Sequence, residues 1–147
     1  MHSFLNDILL TAAIGAKIAA PDRTVVSLVT DGGFTWGCPE ASLWSATHHN
    51  TPFLTVIFDN QSYGAIRVLV ETLSETRLSD ELGDFTGVDI APPPDYAMIA
   101  RACGGFGRTV EDPADVLPAL KEGLREVHNG KVAVVDIRLA RGLTGKY

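Results

Sequence analysis

The sequence predicts one α/β domain, built on a doubly wound parallel sheet with helices on both faces. Two short β-branched runs, residues 25–29 and 53–58, have the apolar character of buried parallel strands. A helical pattern separates them, and helix and strand patterns continue to alternate after the second run. The apolar fraction of 46% is sufficient for one core, and no internal repeat or second core is visible, so residues 1–147 are assigned to a single domain.

The first predicted element is a mostly buried helix over residues 7–20. Apolar residues recur there at helical spacing, and Asn6 or Asp7 is a suitable N-cap. Pro21 ends this helix, so the first strand follows directly.

A second helix is predicted between the two strands, over residues 39–49. Pro39 suits its first turn, where a helix does not need the missing amide hydrogen. We expect Trp44 of this helix to lie in the core, whereas Trp36 fits the core, a cofactor contact or an interface.

The same patterns predict the remaining elements. In order, they are a helix over residues 63–76, a surface loop over 78–94, a helix capped by Asp95 that reaches residue 103, a short strand after the glycines at 104–107, an amphipathic helix over 113–127, and a last strand over 131–139. The last strand begins with a continuous apolar run, as expected of a strand covered on both faces, and then alternates from Asp136 toward an exposed end.

Charge and cysteine usage exclude several classes of partner. The formal net charge is −6 and no basic stripe is present, which argues against nucleic acid or an anionic membrane surface. Cys38 and Cys103 have neither the spacing of a redox pair nor that of a zinc site, so we expect a reducing, cytoplasmic setting. No apolar run reaches the length of a membrane span, and no signal peptide is visible.

Polar residues follow both strands that flank the second helix. Asp31, with Gly32 and Gly33 in a glycine turn, follows the first strand, and Asn60 follows the second. In a βαβ crossover both strands point the same way, so Asp31 and Asn60 should meet at the carboxyl edge of the sheet, where open α/β sheets bind ligands. The two glycines allow close backbone approach, and amides near a helix start favour a phosphate.

Magnesium is the cation that best suits this edge. No lysine or arginine lies between Thr30 and Ser62, so an oligophosphate bound here needs its charge offset by a cation that is not a side chain. Mg²⁺ prefers carboxylate or amide oxygens combined with substrate phosphates. Asp31 and Asn60 supply such oxygens, and the turn over residues 61–64 can add a main-chain carbonyl.

These residues also resemble a known cofactor signature. The sequence from Asp31 to Asn60 resembles that of thiamine diphosphate enzymes, in which GDG is followed further along the chain by two asparagines. Residues 41–52 and 60–67 are similar to benzoylformate decarboxylase-like members of the thiamine diphosphate-dependent 2-oxoacid decarboxylase and acetolactate synthase family. The resemblance covers nearly the whole chain after Phe4.

The resemblance implies thiamine diphosphate and Mg²⁺ as cofactors. It places the side chains of Asp31 and Asn60 and the carbonyl of Ser62 on the metal. It places the amides of Gly32 and Gly33 on the diphosphate, and it adds Tyr63 and Gly64 to the cofactor-binding set. It implies no catalytic residue in this chain, because the family's activating glutamate belongs to a separate pyrimidine-binding domain.

The chain departs from the family pattern at four places. Thr30 replaces the first glycine of the signature, and Asp59 replaces its first asparagine. The stretch over residues 36–38 is slightly longer than usual, and residues 4–7 replace a glycine-rich loop that contacts the pyrimidine in the family.

Two functions from different classes follow. The first is the diphosphate-binding half of a thiamine-dependent 2-oxoacid decarboxylase or acetolactate synthase-like enzyme, truncated at its N-terminus relative to the family. It would be inactive alone and would need a pyrimidine-binding domain or subunit in a homo- or hetero-oligomer. The alternative, favoured by the changed loop at residues 4–7, is a non-catalytic remnant with weak or no cofactor binding. A flavodoxin-like nucleotide-binding module ranks last.

Other conspicuous residues receive structural interpretations. The glycines at 104–107 lack the spacing of a dinucleotide loop and are predicted to stop a helix. The glycines at 142–145 lack the spacing of a P-loop. His48 and His49, near a helix end, are assigned to helix-dipole or solvent contacts rather than to catalysis.

Overall fold

Four parallel strands form the sheet, in the spatial order β1-β2-β4-β3. The computed structural model describes residues 8–73, 78–83 and 86–140. The strands are β1 (Val26–Thr30), β2 (Leu54–Asp59), β3 (Phe106–Val110) and β4 (Ala133–Arg138). All neighbouring strands are paired in parallel, which confirms the predicted doubly wound sheet.

Helices cover both faces of this sheet. They are α1 (Leu9–Ala19), α2 (Asp31–Trp36), α3 (Pro39–His48), α4 (Gly64–Leu73), α5 (Leu78–Leu82), α6 (Tyr96–Ala102) and α7 (Val116–His128), the last preceded by a 3₁₀ turn at Pro113–Asp115. Helices α1, α3 and α6 pack on one face and α7 packs on the other.

The central strands contribute to two cores because successive side chains of a strand point to opposite faces. Ile57 of β2 and Val134 of β4 join the core under α1, α3 and α6. Leu54 and Val135 join the core under α7. Burial on both faces explains why these strands are nearly continuous apolar runs in the sequence.

The prediction that β1 is buried on both faces is wrong. Its burial alternates, and Val26 and Leu28 are 46% and 58% exposed. The cause is position, since β1 lies at the edge of the four-stranded sheet and α7 packs against β2, β3 and β4. Within the described residues, the α7 side of β1 therefore stays open.

The expected glycine turn after β1 is instead the short helix α2. Thr30 is its N-cap, and its Oγ1 accepts a hydrogen bond from the amide of Gly33 at 3.2 Å. A threonine cap stabilises a first turn that two glycines would otherwise disfavour. The predicted loop over residues 78–94 likewise contains a helix, α5.

The prediction that Trp44 lies in the core is wrong, because Leu43 and Ala46 are the apolar residues that α3 buries there. Trp44 is 59% exposed and stacks on His48, with ring centroids 5.1 Å apart. Helix α1 begins at Leu9, and the proposed caps at residues 6 and 7 lie outside the described residues, as do the glycines at 142–145.

The helix stops and caps around α6 are confirmed. Oδ1 of Asp95 accepts a hydrogen bond from the amide of Met98 at 2.7 Å and begins the helix. Gly104 has φ +82° just after its end, a conformation that glycine adopts at little cost.

No helix among the described residues is long and apolar enough to cross a membrane. Cys38 and Cys103 are both free thiols.

We predict that Gly107→Ala destabilises the fold. A Cβ at this position of β3 would overlap the main chain of Ala97 in α6, and backbone relieves such a clash poorly. The loss should be about 1–3 kcal/mol in the free energy of unfolding, measured with urea. Gly15→Ala is the control, because its Cβ meets nothing within 4 Å on a helix and should stabilise by about 0.5–1 kcal/mol. Equal stability of the two variants would contradict the prediction.

Candidate functional site

The carboxyl ends of β1 and β2 lie side by side. The two strands pair in register up to Thr30 and Phe58. Asp31 therefore leaves β1 at the level where β2 reaches its own last residue, Asp59. The placement of Asp31 and Asn60 at one edge of the sheet, inferred from the crossover rule, is confirmed.

Both predicted metal-binding side chains are directed at one atom, the amide nitrogen of Ser62. This amide donates to Oδ2 of Asp31 at 3.1 Å and to Oδ1 of Asn60 at 3.1 Å. Gln61, between Asn60 and Ser62, has φ +59°, a left-handed conformation that is uncommon outside glycine. The turn after β2 is thus tightly wound and brings a carboxylate and an amide oxygen together.

The amides of Gly32 and Gly33 are already engaged. Gly32 donates to Oδ1 of Asp31 at 2.9 Å, and Gly33 donates to Oγ1 of Thr30 at 3.2 Å. Their assignment to a diphosphate stays a prediction, and it requires these two hydrogen bonds to be exchanged or shared.

Tyr63 packs directly over Gly32. A Cβ on Gly32 would lie 2.6 Å from Cδ1 of Tyr63, so only glycine fits beneath this ring. Tyr63 also packs against Trp36, with ring centroids 5.3 Å apart. Gly64 begins α4 and is buried there.

A loop closes over the same turn. The carbonyl of Val88 accepts a hydrogen bond from the amide of Tyr63 at 2.8 Å, and the carbonyl of Gln61 accepts one from the amide of Ile90 at 3.0 Å. Ser62 and Asp89 form an isolated antiparallel bridge. Part of the segment predicted as a surface loop, residues 88–90, therefore lies beside the site.

Asp31 is a buried carboxylate, 1% exposed. Its pKa is raised to about 6, mainly by desolvation and in smaller part by the neighbouring Asp59 carboxylate, while the hydrogen bonds from Gly32 and Ser62 oppose that rise. Among the described residues, no lysine or arginine forms an ion pair with Asp31. Its charge is therefore offset by two amides alone.

Sequence reasoning did not find the acidic cluster behind this turn. Asp59 and Asp136 are both fully buried, and Arg138 lies between them. Nη1 of Arg138 is 2.6 Å from Oδ2 of Asp59, and its Nη2 is 3.1 Å from Oδ2 of Asp136. The contact with Asp59 lacks the geometry of a hydrogen bond, so the guanidinium charge itself offsets the burial of that oxygen.

The prediction that β4 alternates toward an exposed end from Asp136 is wrong. β4 is an inner strand of the sheet and helices α6 and α7 pack against it, so Asp136 is buried like the apolar residues before it. Its Oδ2 is 3.3 Å from the hydroxyl of Thr109, and its Oδ1 accepts no hydrogen bond from any described residue. The signal that could have revealed the cluster is an aspartate in each of two largely apolar strands, Asp59 at the end of β2 and Asp136 within β4.

The donor chemistry of the edge suits a hard cation. No group of three His, Cys, Asp or Glu side chains in the described part of the chain is arranged to hold a metal ion. The candidate ligands are instead a carboxylate, an amide oxygen and a main-chain carbonyl, which is the set that Mg²⁺ uses together with phosphates. A buried carboxylate without a cationic side chain as partner fits such an ion.

Comparison with known proteins identifies a family that matches most of the chain. The family model described as "Thiamine pyrophosphate enzyme, C-terminal TPP binding domain" matches residues 8–137.

Two curated proteins and one solved structure illustrate the similarity. Sulfoacetaldehyde acetyltransferase of Castellaniella defragrans is 33% identical over 132 residues, which cover 88% of this chain and 20% of that protein. Benzoylformate decarboxylase of Pseudomonas aeruginosa is 36% identical over 115 residues, covering 78% and 20%. The solved thiamine diphosphate-dependent 4-hydroxybenzoylformate decarboxylase of Rhodococcus jostii has a TM-score of 0.75 at 30% identity, covering 92% and 23%. The chain spans about a fifth of the length of the curated relatives it matches.

We predict that Asp136 makes the stability of the fold depend on pH. Desolvation by burial raises its pKa from 3.8 to about 6, and Arg138 lowers it only partly. Between these values the folded state binds more protons than the unfolded state, so stability falls as pH rises through this range. This one group changes the free energy of unfolding by at most about 1.4 kcal/mol per pH unit. Asp136→Asn removes that contribution.

Urea unfolding of the wild type and the variant at pH 4 to 7 tests this prediction. The variant should gain stability relative to the wild type as pH rises. Asp22→Asn, at an exposed position in the turn after α1, is the control and should follow the wild type. A constant difference between the wild type and Asp136→Asn would contradict the prediction.

Proposed function

The chain belongs to the family of thiamine pyrophosphate enzyme C-terminal TPP binding domains, and from this premise we propose that residues 1–147 bind the diphosphate of thiamine diphosphate through Mg²⁺. The observation that carries the proposal is the convergence of Asp31 and Asn60 on the amide of Ser62. It supports one small binding site built from the ends of β1 and β2.

In the proposed complex, Mg²⁺ is held by the side chains of Asp31 and Asn60 and by the carbonyl of Ser62. Carboxylate and amide oxygens with phosphate are its preferred ligands. The ion would also place a positive charge beside a buried carboxylate that pairs with no lysine or arginine in the described part of the chain. The absence of lysine and arginine between residues 30 and 62 supports the same role for the ion.

The glycines at the start of α2 would face the diphosphate. The amides of Gly32 and Gly33 donate to Asp31 and Thr30 in the structure. A diphosphate bound there would share or take over these hydrogen bonds. Tyr63, packed on Gly32, and Gly64, at the start of α4, would line the same region.

Bound thiamine diphosphate supplies a reactive thiazolium carbon that adds to a substrate carbonyl. The contribution of this chain is to hold and orient the diphosphate end. We propose a 2-oxoacid decarboxylase or acetolactate synthase-like reaction for the complete enzyme, and we assign no catalytic side chain to this part of it.

We further propose that a pyrimidine-binding domain or subunit completes the site, in a homo- or hetero-oligomer in the cytoplasm. The apolar surface next to the cofactor turn supports this partner. In α4, which follows the turn directly, Val68, Leu69 and Leu73 are exposed. Apolar side chains gathered in this way are typical of a surface that another protein domain covers.

A second candidate is a non-catalytic remnant that keeps the fold and binds the cofactor weakly or not at all. The observation that favours it is the engagement of both glycine amides by side chains of the chain itself. The two candidates differ in whether Mg²⁺ and thiamine diphosphate stabilise the protein.

We predict that Mg²⁺ and thiamine diphosphate together raise the free energy of unfolding. At about a hundred times the dissociation constant, the ligand should add roughly 2.7 kcal/mol, measured as a rise in Tm or in the urea midpoint. Asp31→Ala should abolish the increase because it removes the proposed charged metal ligand, whereas Asp22→Ala should retain it. A wild type that shows no increase would favour the remnant.

We also predict that the chain turns over no 2-oxo acid by itself. Catalysis needs a group that activates the thiazolium carbon, and our proposal places that group on the partner. Release of CO₂ from benzoylformate or pyruvate should appear only after a pyrimidine-binding domain of the same family is added. Turnover by the chain alone would contradict the proposal that the activating group lies on the partner. Size-exclusion chromatography checks that the partner binds.

A further inference from the structure

Arg138 and Asp59 form a buried ion pair directly behind the turn that carries Asn60. The carboxylate of Asp59 is 0% exposed and Arg138 is 18% exposed. Removing a carboxylate from water is costly unless a charged partner offsets the loss. The guanidinium, 2.6 Å from Oδ2 of Asp59, is that partner.

The other oxygen of Asp59 holds the turn. Oδ1 accepts a hydrogen bond from the amide of Gln61 at 2.8 Å. Gln61 has φ +59°, so this bond supports a residue in a conformation that it rarely adopts. Asn60 lies between Asp59 and Gln61. The direction of its side chain therefore depends on the turn conformation that the hydrogen bond from Gln61 to Asp59 stabilises.

Arg138 is itself firmly placed. It is the register partner of Asp59 at the end of β4, and the carbonyl of Asp59 accepts a hydrogen bond from the amide of Leu139 at 2.7 Å. Its second nitrogen lies 3.1 Å from Asp136. Its two terminal nitrogens each contact a different carboxylate, an arrangement that the single ammonium of a lysine cannot reproduce.

From this geometry we propose that Arg138 is a positioning residue for the site. Acting through Asp59, it holds the turn over residues 59–62 in the conformation that directs Asn60 toward the cation. The inference rests on the proposed function for its cofactor, but the ordering of the turn can be measured without any cofactor.

The test compares four variants of the full chain: Arg138→Met, Arg138→Lys, Asp59→Asn, and the double variant Asp59→Asn with Arg138→Met. The first measurement is the exchange rate of the Gln61 amide hydrogen, by NMR, in the cofactor-free protein. The second is the dissociation constant for thiamine diphosphate at saturating Mg²⁺, by isothermal titration calorimetry.

Arg138→Met leaves the buried charge of Asp59 unpaired. It should speed exchange at Gln61 and weaken binding on the order of tenfold or more. The double variant removes the charges at positions 59 and 138, and the amide side chain introduced at position 59 can still accept from Gln61. It should therefore recover the part of the loss that runs through Asp59, while Asp136 stays without Arg138 in both variants. Such recovery shows coupling that a general loss of stability would not show. Arg138→Lys keeps the charge but not both contacts, and it should fall between the wild type and Arg138→Met.

The matched control is Arg108→Met. Arg108 forms an ion pair of similar length with Glu122, 2.8 Å, between β3 and α7 and outside the turn. It should leave both measurements unchanged even if it lowers Tm. If Arg138→Met fails to fold, Arg138→Lys and Asp59→Asn carry the test in the same two measurements.

Three outcomes would overturn the inference. They are an unchanged exchange rate and dissociation constant in Arg138→Met, a double variant whose losses are the product of the single ones, and an effect of equal size in Arg108→Met. If the wild type binds no thiamine diphosphate, the proposed function fails instead. The exchange of Gln61 then still decides whether Arg138 orders the turn.

Discussion

The amide hydrogen of Ser62 joins the ends of two strands, and the candidate site depends on this sharing. Asp31 reaches it from the end of β1 and Asn60 reaches it from the turn after β2. A parallel crossover brings those ends to one edge, but it does not by itself make two side chains converge. The convergence comes from the tight turn at Gln61, which turns the Ser62 amide back toward β1.

The three buried carboxylates near the turn, Asp31, Asp59 and Asp136, differ in their charged partners. Asp59 and Asp136 share one guanidinium, whereas Asp31 has only amide partners among the described residues. Desolvation raises the pKa of both Asp31 and Asp136 to about 6. One arginine thus offsets part of the charge of the two inner carboxylates, whereas no lysine or arginine among the described residues pairs with Asp31. This arrangement suits a site that receives its cation together with a ligand.

The two positions at which the chain departs from the family signature both have structural roles. Thr30, in place of a glycine, caps α2 and accepts from Gly33. Asp59, in place of an asparagine, pairs with Arg138 and accepts from Gln61. Neither residue is a proposed metal ligand. The departures change how the site is supported and leave Asp31, Asn60 and Ser62 in place.

Periodicity and strand-end chemistry predicted the sheet, the order of most elements and the meeting of Asp31 with Asn60, because these follow from local pattern and from the handedness of crossovers. The exposure of Val26 and Trp44 was missed because it depends on which elements cover a surface. The burial of Asp136 and its pairing with Arg138 depend on strand order, since β4 lies between β2 and β3 although it comes last in the chain. The sequence alone thus determined which residues stand at the sheet edge. Only the tertiary structure decided how their charges are paired, because pairing depends on neighbours that are distant along the chain.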